Sequence, residues 1–205
     1  MPVTSTQHLD DQPCGLREQK KRQTRAAMHR AALELVAEHG MAHVTAEDIA
    51  QRAGVSARTF FNYWPTKEAA VLGVDPERND SLVAWMRARP ADEDVIASLR
   101  GTIRRWLVGL DPDPELRALK RAVIAGHPQL HLVSLGMQSS LITDLSAVIA
   151  ERLEGEDADE RAYAIVSLAT GAARAAFGMS MRNGTEVATE YERLLAWADD
   201  GQVGF

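Results

Sequence analysis

The sequence predicts an all-α fold, in which a three-helix N-terminal unit with a helix-turn-helix precedes a larger helical domain, about nine helices in all. Apolar residues recur at three- and four-residue spacing through most of the 205 residues, and glycine or proline interrupts them between helices. No segment alternates apolar and polar residues with enrichment in β-branched types, the pattern typical of a strand. A composition of 45% hydrophobic and 25% charged residues is that of an ordinary globular protein.

The composition also excludes several classes of protein. Apolar runs fall short of the roughly 20 residues of a membrane helix, and residues 1–16 lack the apolar stretch of a secretory signal. We therefore expect a cytoplasmic protein with no membrane partner. The single cysteine, Cys14, cannot form an internal disulfide, and no CxxC pair is present, so we expect neither a metal nor another cofactor. A redox role of Cys14 is an open alternative.

The first predicted helix follows an irregular arm. Residues 1–16 show no periodicity and are predicted to be disordered. Helical spacing of apolar residues begins near Glu18 and continues to Gly40, a suitable residue for ending a helix.

Charge is distributed unevenly along the chain. The formal net charge of −6 by itself argues against a nucleic-acid partner. However, residues 1–67 hold nine Lys and Arg against seven Asp and Glu, whereas residues 68–205 hold 14 against 22. The segment 17–30 has six cations and one anion, so it is either a solvated helix face or a surface that faces DNA phosphates.

Two short helices with strong N-terminal caps follow. Thr45 is a suitable N-cap, and Asp48 three residues later completes a variant of the capping box. The helix stops at Gly54, and Ser56 then caps the next helix. Apolar pairs are spaced to close a hydrophobic staple at each cap: Val44 with Ile49, and Val55 with Phe60. This arrangement predicts a helix-turn-helix.

The second of these helices has the side chains that a DNA-reading helix needs. Arg58 matches guanine, Asn62 matches adenine, and an apolar side chain such as Phe61 can contact a thymine methyl group. Hydroxyl groups suit phosphate oxygens, and Lys67 after Pro65 would gain from a phosphate at its helix start. The predicted DNA-binding residues are Arg17, Lys20, Lys21, Arg25, Thr45, Ser56, Ala57, Arg58, Thr59, Phe61, Asn62, Tyr63 and Lys67. Core packing is the alternative for Tyr63, and plain solvent exposure for Arg58.

The remainder of the chain is predicted to be helical, with breaks at proline and glycine. The predicted helices are 66–89 (bent or broken around Pro76), 92–109, 114–126, 128–154, 158–182 and 185–199. The predicted organisation is a disordered arm (1–16), a helix-turn-helix domain (17–66), and a ligand-binding and dimerisation domain (67–205).

Two sets of residues in the C-terminal part are candidates for function. A stripe rich in small residues could pack against a symmetry copy, or else face its own core: Ala162, Ile165, Val166, Ala169, Ala173, Ala176, Phe177, Val187, Tyr191, Leu194 and Leu195. A second set on apolar helix faces could line a ligand pocket, with ordinary core packing as the alternative: Trp85, Met86, Trp106, Leu110, His127, His131, Met137, Gln138, Leu141, Thr170 and Arg174. His127 and His131 are spaced to share a metal ion, but no third ligand is evident, so we expect no metal site.

The block Val44–Glu68, VTAEDIAQRAGVSARTFFNYWPTKE, resembles the N-terminal region of TetR-type transcriptional regulators. The resemblance is close over residues 18–70, although Trp64 stands where phenylalanine is commoner and Asn62 occupies a variable position. It implies a homodimer that binds a palindromic DNA operator, usually as a repressor, and a C-terminal domain whose small-molecule effector releases the DNA. It also implies a dimer contact on the last two long helices. The motifs RTFFNY and VIAGHPQL resemble a subgroup suspected to bind acyl-CoA-like or other amphipathic effectors.

Three functions follow as hypotheses. The first is a ligand-responsive DNA-binding regulator. The second keeps the DNA-binding domain but gives the C-terminal domain a protein partner and no small ligand. The third, an α-helical enzyme, is disfavoured because the sequence has no GxSxG, P-loop, HExxH, CxxC or GxGxxG motif. We therefore expect no enzymatic activity.

Overall fold

The computed structural model describes residues 15–108, 110 and 113–202, with the side chains at 18, 76, 131, 132 and 135–138 outside the described set. This part of the chain forms ten α-helices and a short 3₁₀ turn, Met41–His43, and contains no strand. The helices are α1 (Leu16–His39), α2 (Ala46–Arg52), α3 (Ala57–Tyr63), α4 (Lys67–Leu72), α5 (Pro76–Arg87), α6 (Val95–Leu107), α7 (Pro114–Gly126), α8 (Gln129–Ala150), α9 (Ala158–Asn183) and α10 (Val187–Asp199). The all-α prediction is confirmed.

The helix predicted over 66–89 is two helices, α4 and α5. Gly73 ends α4 in the left-handed region, with φ of +67°, and Asp75 caps α5 through a bond from the Glu77 amide. Pro76 occupies the first position of α5, where its missing N–H costs nothing. The chain therefore changes direction within three residues, ahead of the proline that marks the break in the sequence.

Helix α1 begins at Leu16, inside the predicted arm 1–16, whose residues 1–14, Cys14 among them, lie outside the described residues. Helix α10 begins at Val187 rather than 185.

Two further helix ends differ from the predicted positions for evident local reasons. Helix α6 begins at Val95 rather than 92, because the Asp94 carboxylate accepts from the Ala97 amide at 2.8 Å and caps the helix there. Helix α8 ends at Ala150, ahead of residue 154, since the next amides bond three residues back instead of four: Arg152 to Ile149 and Leu153 to Ala150.

The caps predicted around the helix-turn-helix are present. The Thr45 hydroxyl accepts from the Asp48 amide at 3.1 Å, and the Asp48 carboxylate accepts from the Thr45 amide at 2.9 Å. The Ser56 hydroxyl accepts from the Thr59 amide at 3.1 Å. Gly54 in the turn has φ of +72°, a conformation that favours glycine. The starts of α2 and α3 are thus each fixed by bonds that span three residues.

Apolar side chains form two separate cores. The first joins α1–α4, the 3₁₀ turn and one face of α7 with the start of α8; its largest members are Met28, Leu33, Ile49, Phe60 and Trp64. The second joins α5, α6, α8, α9 and α10. Helix α4, at the start of the predicted 67–205 domain, packs with α1 and contributes to the first core.

The stripe on α9 and α10 that suggested a dimer contact lies in the chain's own second core. Eight of its side chains are buried within the single chain: Ala162, Val166, Ala173, Ala176, Val187, Tyr191, Leu194 and Leu195. The other three, Ile165, Ala169 and Phe177, are partly buried against the same core. These eight side chains pack in the core of the single chain and leave little surface for a partner, and the predicted dimer contact through the stripe stays a prediction.

Helix α9 is long and apolar enough to cross a membrane by length and composition alone, and no other helix of the described residues meets that criterion. A core helix of a globular protein meets it equally well. One face of α9 packs on α6, α8 and α10, as a core helix does, while Tyr163 and Leu168 on another face are more than half exposed.

Candidate nucleic-acid interface

Helix α3 presents a compact exposed face. Arg58, Phe61 and Asn62 are exposed and lie three and four residues apart, which places them on one side of the helix. Phe60 is fully buried beneath them, and Ala57 and Thr59 are half-buried at the edges. The predicted base-contacting residues are therefore together, on a helix anchored from behind.

Phe61 is an aromatic residue on this face, yet it is 54% exposed to solvent. Its ring packs edge-to-face on Phe60, with centroids 5.4 Å apart and planes at 90°. Exposing an aromatic ring forgoes the free energy of burial, about 25 cal/mol for each Å² of apolar surface. The contact with Phe60 fixes the position of a ring that is suited to an apolar group on a partner.

The hydroxyl groups predicted to contact phosphates are engaged in the caps. Thr45 Oγ1 lies 2.6 Å from an Asp48 carboxylate oxygen, and Ser56 Oγ lies 2.8 Å from Thr59 Oγ1. The bonds from Thr45 hold the pKa of Asp48 below its usual range, so the cap stays charged at neutral pH. In this structure the hydroxyls position α2 and α3.

Lys67 is also engaged within the protein. Its ammonium group donates to the Met41 carbonyl at 2.9 Å and to the Val44 carbonyl at 2.8 Å. These carbonyls belong to the segment between α1 and α2, where they are not part of an α-helix. Lys67 therefore links α4 to the entrance of the helix-turn-helix, and its predicted phosphate contact stays a prediction.

The cations of α1 divide into two groups. Arg17 and Lys20 are exposed and, among the described residues, form no ion pair. Lys21 lies 2.5 Å from Glu77. Arg25 lies 2.6 Å from Asp75 and 3.3 Å from Glu77, and only 11% of its side chain is exposed. The basic segment 17–30 is thus partly neutralised by the start of α5.

The two acids that pair with α1 could not be identified from sequence spacing, since they lie 50 to 56 residues from their partners. Nothing in the local pattern around Asp75 and Glu77 distinguishes them from other residues at a helix start. The one available indication was the Asp-Pro-Glu sequence, which predicts a capped helix.

The residues predicted to line a ligand pocket lie in several different places. Met86 and Leu141 are buried in the second core, and Leu110 packs against its edge. Trp85 lies under Arg105, with 4.2 Å from the guanidinium carbon to the ring centroid, whereas Trp106 packs against Phe177 and Arg78. The side chains of His131, Met137 and Gln138 lie outside the described residues.

His127 connects the two parts of the chain. Its Nδ1 lies 2.8 Å from the Val123 carbonyl, and its Nε2 accepts from the Met41 amide at 3.3 Å. A carbonyl can only accept and an amide N–H can only donate, so the tautomer with its proton on Nδ1 satisfies both contacts. His127 therefore ties the end of α7 to the 3₁₀ turn, and it does not face a pocket with the tryptophans.

Thr170 and Arg174 line an open groove of about 260 Å³ between α8 and α9. The other lining residues are Ser139, Ile142, Thr143, Tyr163, Ser167 and Gly171. Within the described residues there is no cluster of three His, Cys, Asp or Glu side chains that could hold a metal ion.

Comparisons with known proteins agree with this geometry. Residues 29–73 match the model of the family described as bacterial regulatory proteins, tetR family. The chain is 33% identical over 153 residues to the HTH-type transcriptional regulator TcmR of Streptomyces glaucescens, covering 71% of this chain and 67% of TcmR. It is 32% identical over 121 residues to the HTH-type transcriptional regulator RutR of Escherichia coli K12, covering 58% of this chain and 57% of RutR.

A solved structure shows the same fold. The crystal structure of NalD, the secondary repressor of the MexAB-OprM multidrug efflux pump in Pseudomonas aeruginosa, superposes with a TM-score of 0.50 at 17% identity, covering 89% of this chain and 97% of NalD. The matched region of the family model contains α2, α3 and α4 together with the capped turns described above. The chain belongs to the tetR family of bacterial transcriptional regulators.

Proposed function

We propose that the protein is a dimeric, effector-responsive repressor that reads a palindromic operator with α3. The observation that carries this proposal is the exposed face formed by Arg58, Phe61 and Asn62 on a short helix whose start is capped and whose back is buried. A helix that enters the major groove needs such a rigid support and such an exposed set of donors and apolar groups.

The chemistry of the three side chains gives each a role in the groove. The Arg58 guanidinium suits the O6 and N7 atoms of guanine, and the Asn62 amide suits the N6 and N7 atoms of adenine. The fixed ring of Phe61 suits a thymine methyl group. Arg17 and Lys20, exposed near the start of α1, supply charge for phosphates, which gives affinity without sequence preference.

The dimer contact is proposed on the exposed side of α9. Tyr163, which lines the groove between α8 and α9, is 59% exposed, and Leu168, on the other flank of this exposed side, is 55% exposed. This side replaces the buried stripe as the candidate surface, because its apolar groups are available to a second copy. Two recognition helices held about 34 Å apart would read the two halves of a palindrome.

The effector is proposed to be a small amphipathic or hydrophobic molecule, acyl-CoA-like compounds included, that binds among the central helices and alters the spacing of the two α3 helices. A protein partner for the C-terminal domain, with no small ligand, is the second candidate. Because the proposed partner is chromosomal DNA, we place the protein in the cytoplasm.

The test is DNA binding by the purified protein. The probe is a fluorescent duplex that covers the region upstream of the gene for this chain, titrated between about 50 and 300 mM salt. Affinity is expected to fall steeply with salt, and Arg58→Ala to weaken binding while Arg182→Ala, the same change on an exposed side chain of α9, does not. Absence of binding by the wild type at low salt would overturn the proposal.

Two further measurements separate the remaining parts. Leu168→Glu is expected to convert the dimer to monomers in analytical ultracentrifugation without loss of helix content by circular dichroism. Thermal shift against acyl-CoAs, fatty acids and aromatic metabolites then distinguishes the effector candidates: stabilisation by one class supports a small ligand, and uniform silence supports a protein partner.

A further inference from the structure

We propose that Arg25 is a positioning residue for DNA recognition, which joins the first turn of α5 to the end of the recognition helix. The inference rests on the proposed function of α3, and it gives that function a physical connection to the C-terminal region. Sequence alone places Arg25 among the phosphate-binding cations of α1, whereas the structure places it between two other elements.

The contacts of Arg25 converge from two sides. On one side its Nη1 lies 2.6 Å from an Asp75 carboxylate oxygen and 3.3 Å from Glu77. On the other side its guanidinium carbon lies 5.4 Å from the Tyr63 ring centroid and 5.6 Å from that of Trp64. With only 11% of the side chain exposed, a DNA phosphate cannot reach the guanidinium without displacing these partners.

The rings held by Arg25 are at the end of α3. Tyr63 is the last residue of that helix and Trp64, 1% exposed, follows it. Helix α3 has seven residues, so its direction is set by what holds its two ends: the Ser56 cap at the start and the contact with Arg25 at the finish. A planar guanidinium suits this role, because it attracts aromatic faces and donates in its own plane.

The acid side of the contact belongs to α5. Asp75 caps α5 with one oxygen, which accepts from the Glu77 amide at 3.0 Å, and binds Arg25 with the other. A shift or rotation of the start of α5 therefore moves the carboxylate that holds Arg25. Burial raises the pKa of Asp75 above its usual value even though Arg25 opposes this shift, so the charged pair is kept at a site where desolvation is unfavourable.

A second Asp-Pro-Glu sequence provides a matched control. Asp113 caps α7 through the Glu115 and Leu116 amides, as Asp75 caps α5, and it pairs with Arg30, also on α1. Among the described residues Arg30 forms no cation–π contact with Tyr63 or Trp64, and 44% of its side chain is exposed. Two α1 arginines thus meet two helix caps, but Arg25 alone of the pair also meets the recognition helix.

The salt dependence of binding separates a positioning role from a phosphate contact. Each phosphate neutralised by a cation contributes about 0.9 to the slope of log affinity against log salt. Loss of a phosphate ligand lowers that slope, whereas loss of a residue that acts through Tyr63 lowers the affinity and leaves the slope unchanged.

The experiment compares Arg25→Met, Arg25→Lys, Asp75→Asn and Arg30→Met in the full-length chain, with the upstream duplex as the probe. Asn keeps the cap of α5 and removes the charge; Lys keeps the charge and removes the planar group. Arg25→Met and Asp75→Asn are expected to weaken binding roughly tenfold at constant slope. The DNA affinity of Arg25→Lys is expected to lie between the affinities of these two variants and that of the wild type. The affinity of Arg30→Met is expected to stay within about twofold of the wild-type value. In a Tyr63→Leu background, which lacks the aromatic ring that Arg25 contacts, the effect of Arg25→Met on affinity is expected to shrink, because the two changes remove the same interaction.

Hydrogen exchange provides a measurement that does not depend on DNA. The Trp64 amide, bonded to the Phe60 carbonyl at 2.9 Å, is expected to exchange faster in Arg25→Met and Asp75→Asn than in the wild type and Arg30→Met. Equal exchange of the Trp64 amide in the wild type and the three variants overturns the proposal, and this result does not require DNA binding. Failure of the wild type to bind DNA overturns the proposed function separately. A slope lowered by about 0.9 in Arg25→Met makes Arg25 a phosphate ligand, and equal binding by Arg25→Met and Arg30→Met also contradicts a positioning role.

Discussion

The N-terminal region, α1–α4, and the C-terminal region, α5–α10, differ in the sequence separation of the side-chain bonds that stabilise them. In the first, three caps each join a side chain to an amide three residues away: Thr45 to Asp48, Ser56 to Thr59, and Thr66 to Ala69. In the second, ion pairs join α6 to α10 across 88 and 99 residues: Arg104 with Glu192, and Arg100 with Asp199. The starts of α2, α3 and α4 are therefore fixed by local bonds, while the C-terminal region depends more on how distant helices pack.

The difference suits the two tasks of the proposed function, which are reading DNA and responding to an effector. A recognition helix must present the same face whenever it meets DNA, and short-range caps together with a buried Phe60 provide that constancy. A region that responds to an effector needs helices whose mutual positions can change at modest cost. The contacts of Arg25 and His127 are among those that join the two regions.

The largest expected effect distinguishes the two cores. Phe60→Ala in the first core is expected to lower the free energy of unfolding by about 3–5 kcal/mol, and Leu145→Ala in the second core by about 2–5 kcal/mol. Both side chains are fully buried. Urea denaturation measures this. Only Phe60→Ala is expected to abolish DNA binding by the folded protein. Equal loss of binding in both variants would show that the reading surface is not locally supported.

A smaller effect is expected for the helix caps. Ser56→Ala and Asp94→Ala each remove a side-chain acceptor for an amide three residues on, so each is expected to cost about 1 kcal/mol of stability. Although the two variants are expected to lose the same stability, Ser56→Ala should weaken DNA binding more than Asp94→Ala, because Ser56 caps α3 and Asp94 caps α6. An equal change in DNA affinity for both variants contradicts the local support of α3.

The features that could be predicted from the sequence are those set by nearby residues, and the features that could not are those set by the packing of separate helices. The caps at Thr45 and Ser56 and the turn at Gly54 were predictable, because their determinants lie within a few residues of one another. The partners of Lys21, Arg25 and Lys67 were not, since each depends on how separate helices pack. Helical periodicity could not decide the role of the stripe on α9 and α10, because it gives the same pattern for a core face and for an interface.

The smallest expected effect at neutral pH concerns two carboxylates, one in each region. Bonds from Asn183 and Thr185 hold the pKa of Glu190 below its usual value, as the bonds from Thr45 do for Asp48. A lowered folded-state pKa stabilises the protein above the unfolded value, and this contribution is lost as the pH falls through the folded value. Glu190→Gln and Asp48→Asn should each reduce the acid-dependent fall in the melting temperature between about pH 5 and 3. An unchanged pH profile in either variant contradicts the role of that carboxylate.

In the proposed mode of DNA binding, α3 reads bases and a C-terminal dimer sets the spacing of two copies of α3. Selection of bound sequences from a pool of random duplexes tests this mode, with the wild type, Arg58→Ala and Leu168→Glu compared. The wild type is expected to select two inverted half-sites about 10 base pairs apart. Arg58→Ala should lose its preference for guanine at one position in each half-site, and Leu168→Glu should select a single half-site. Identical selected sequences from the wild type and Arg58→Ala, or a single half-site for the wild type, would contradict it.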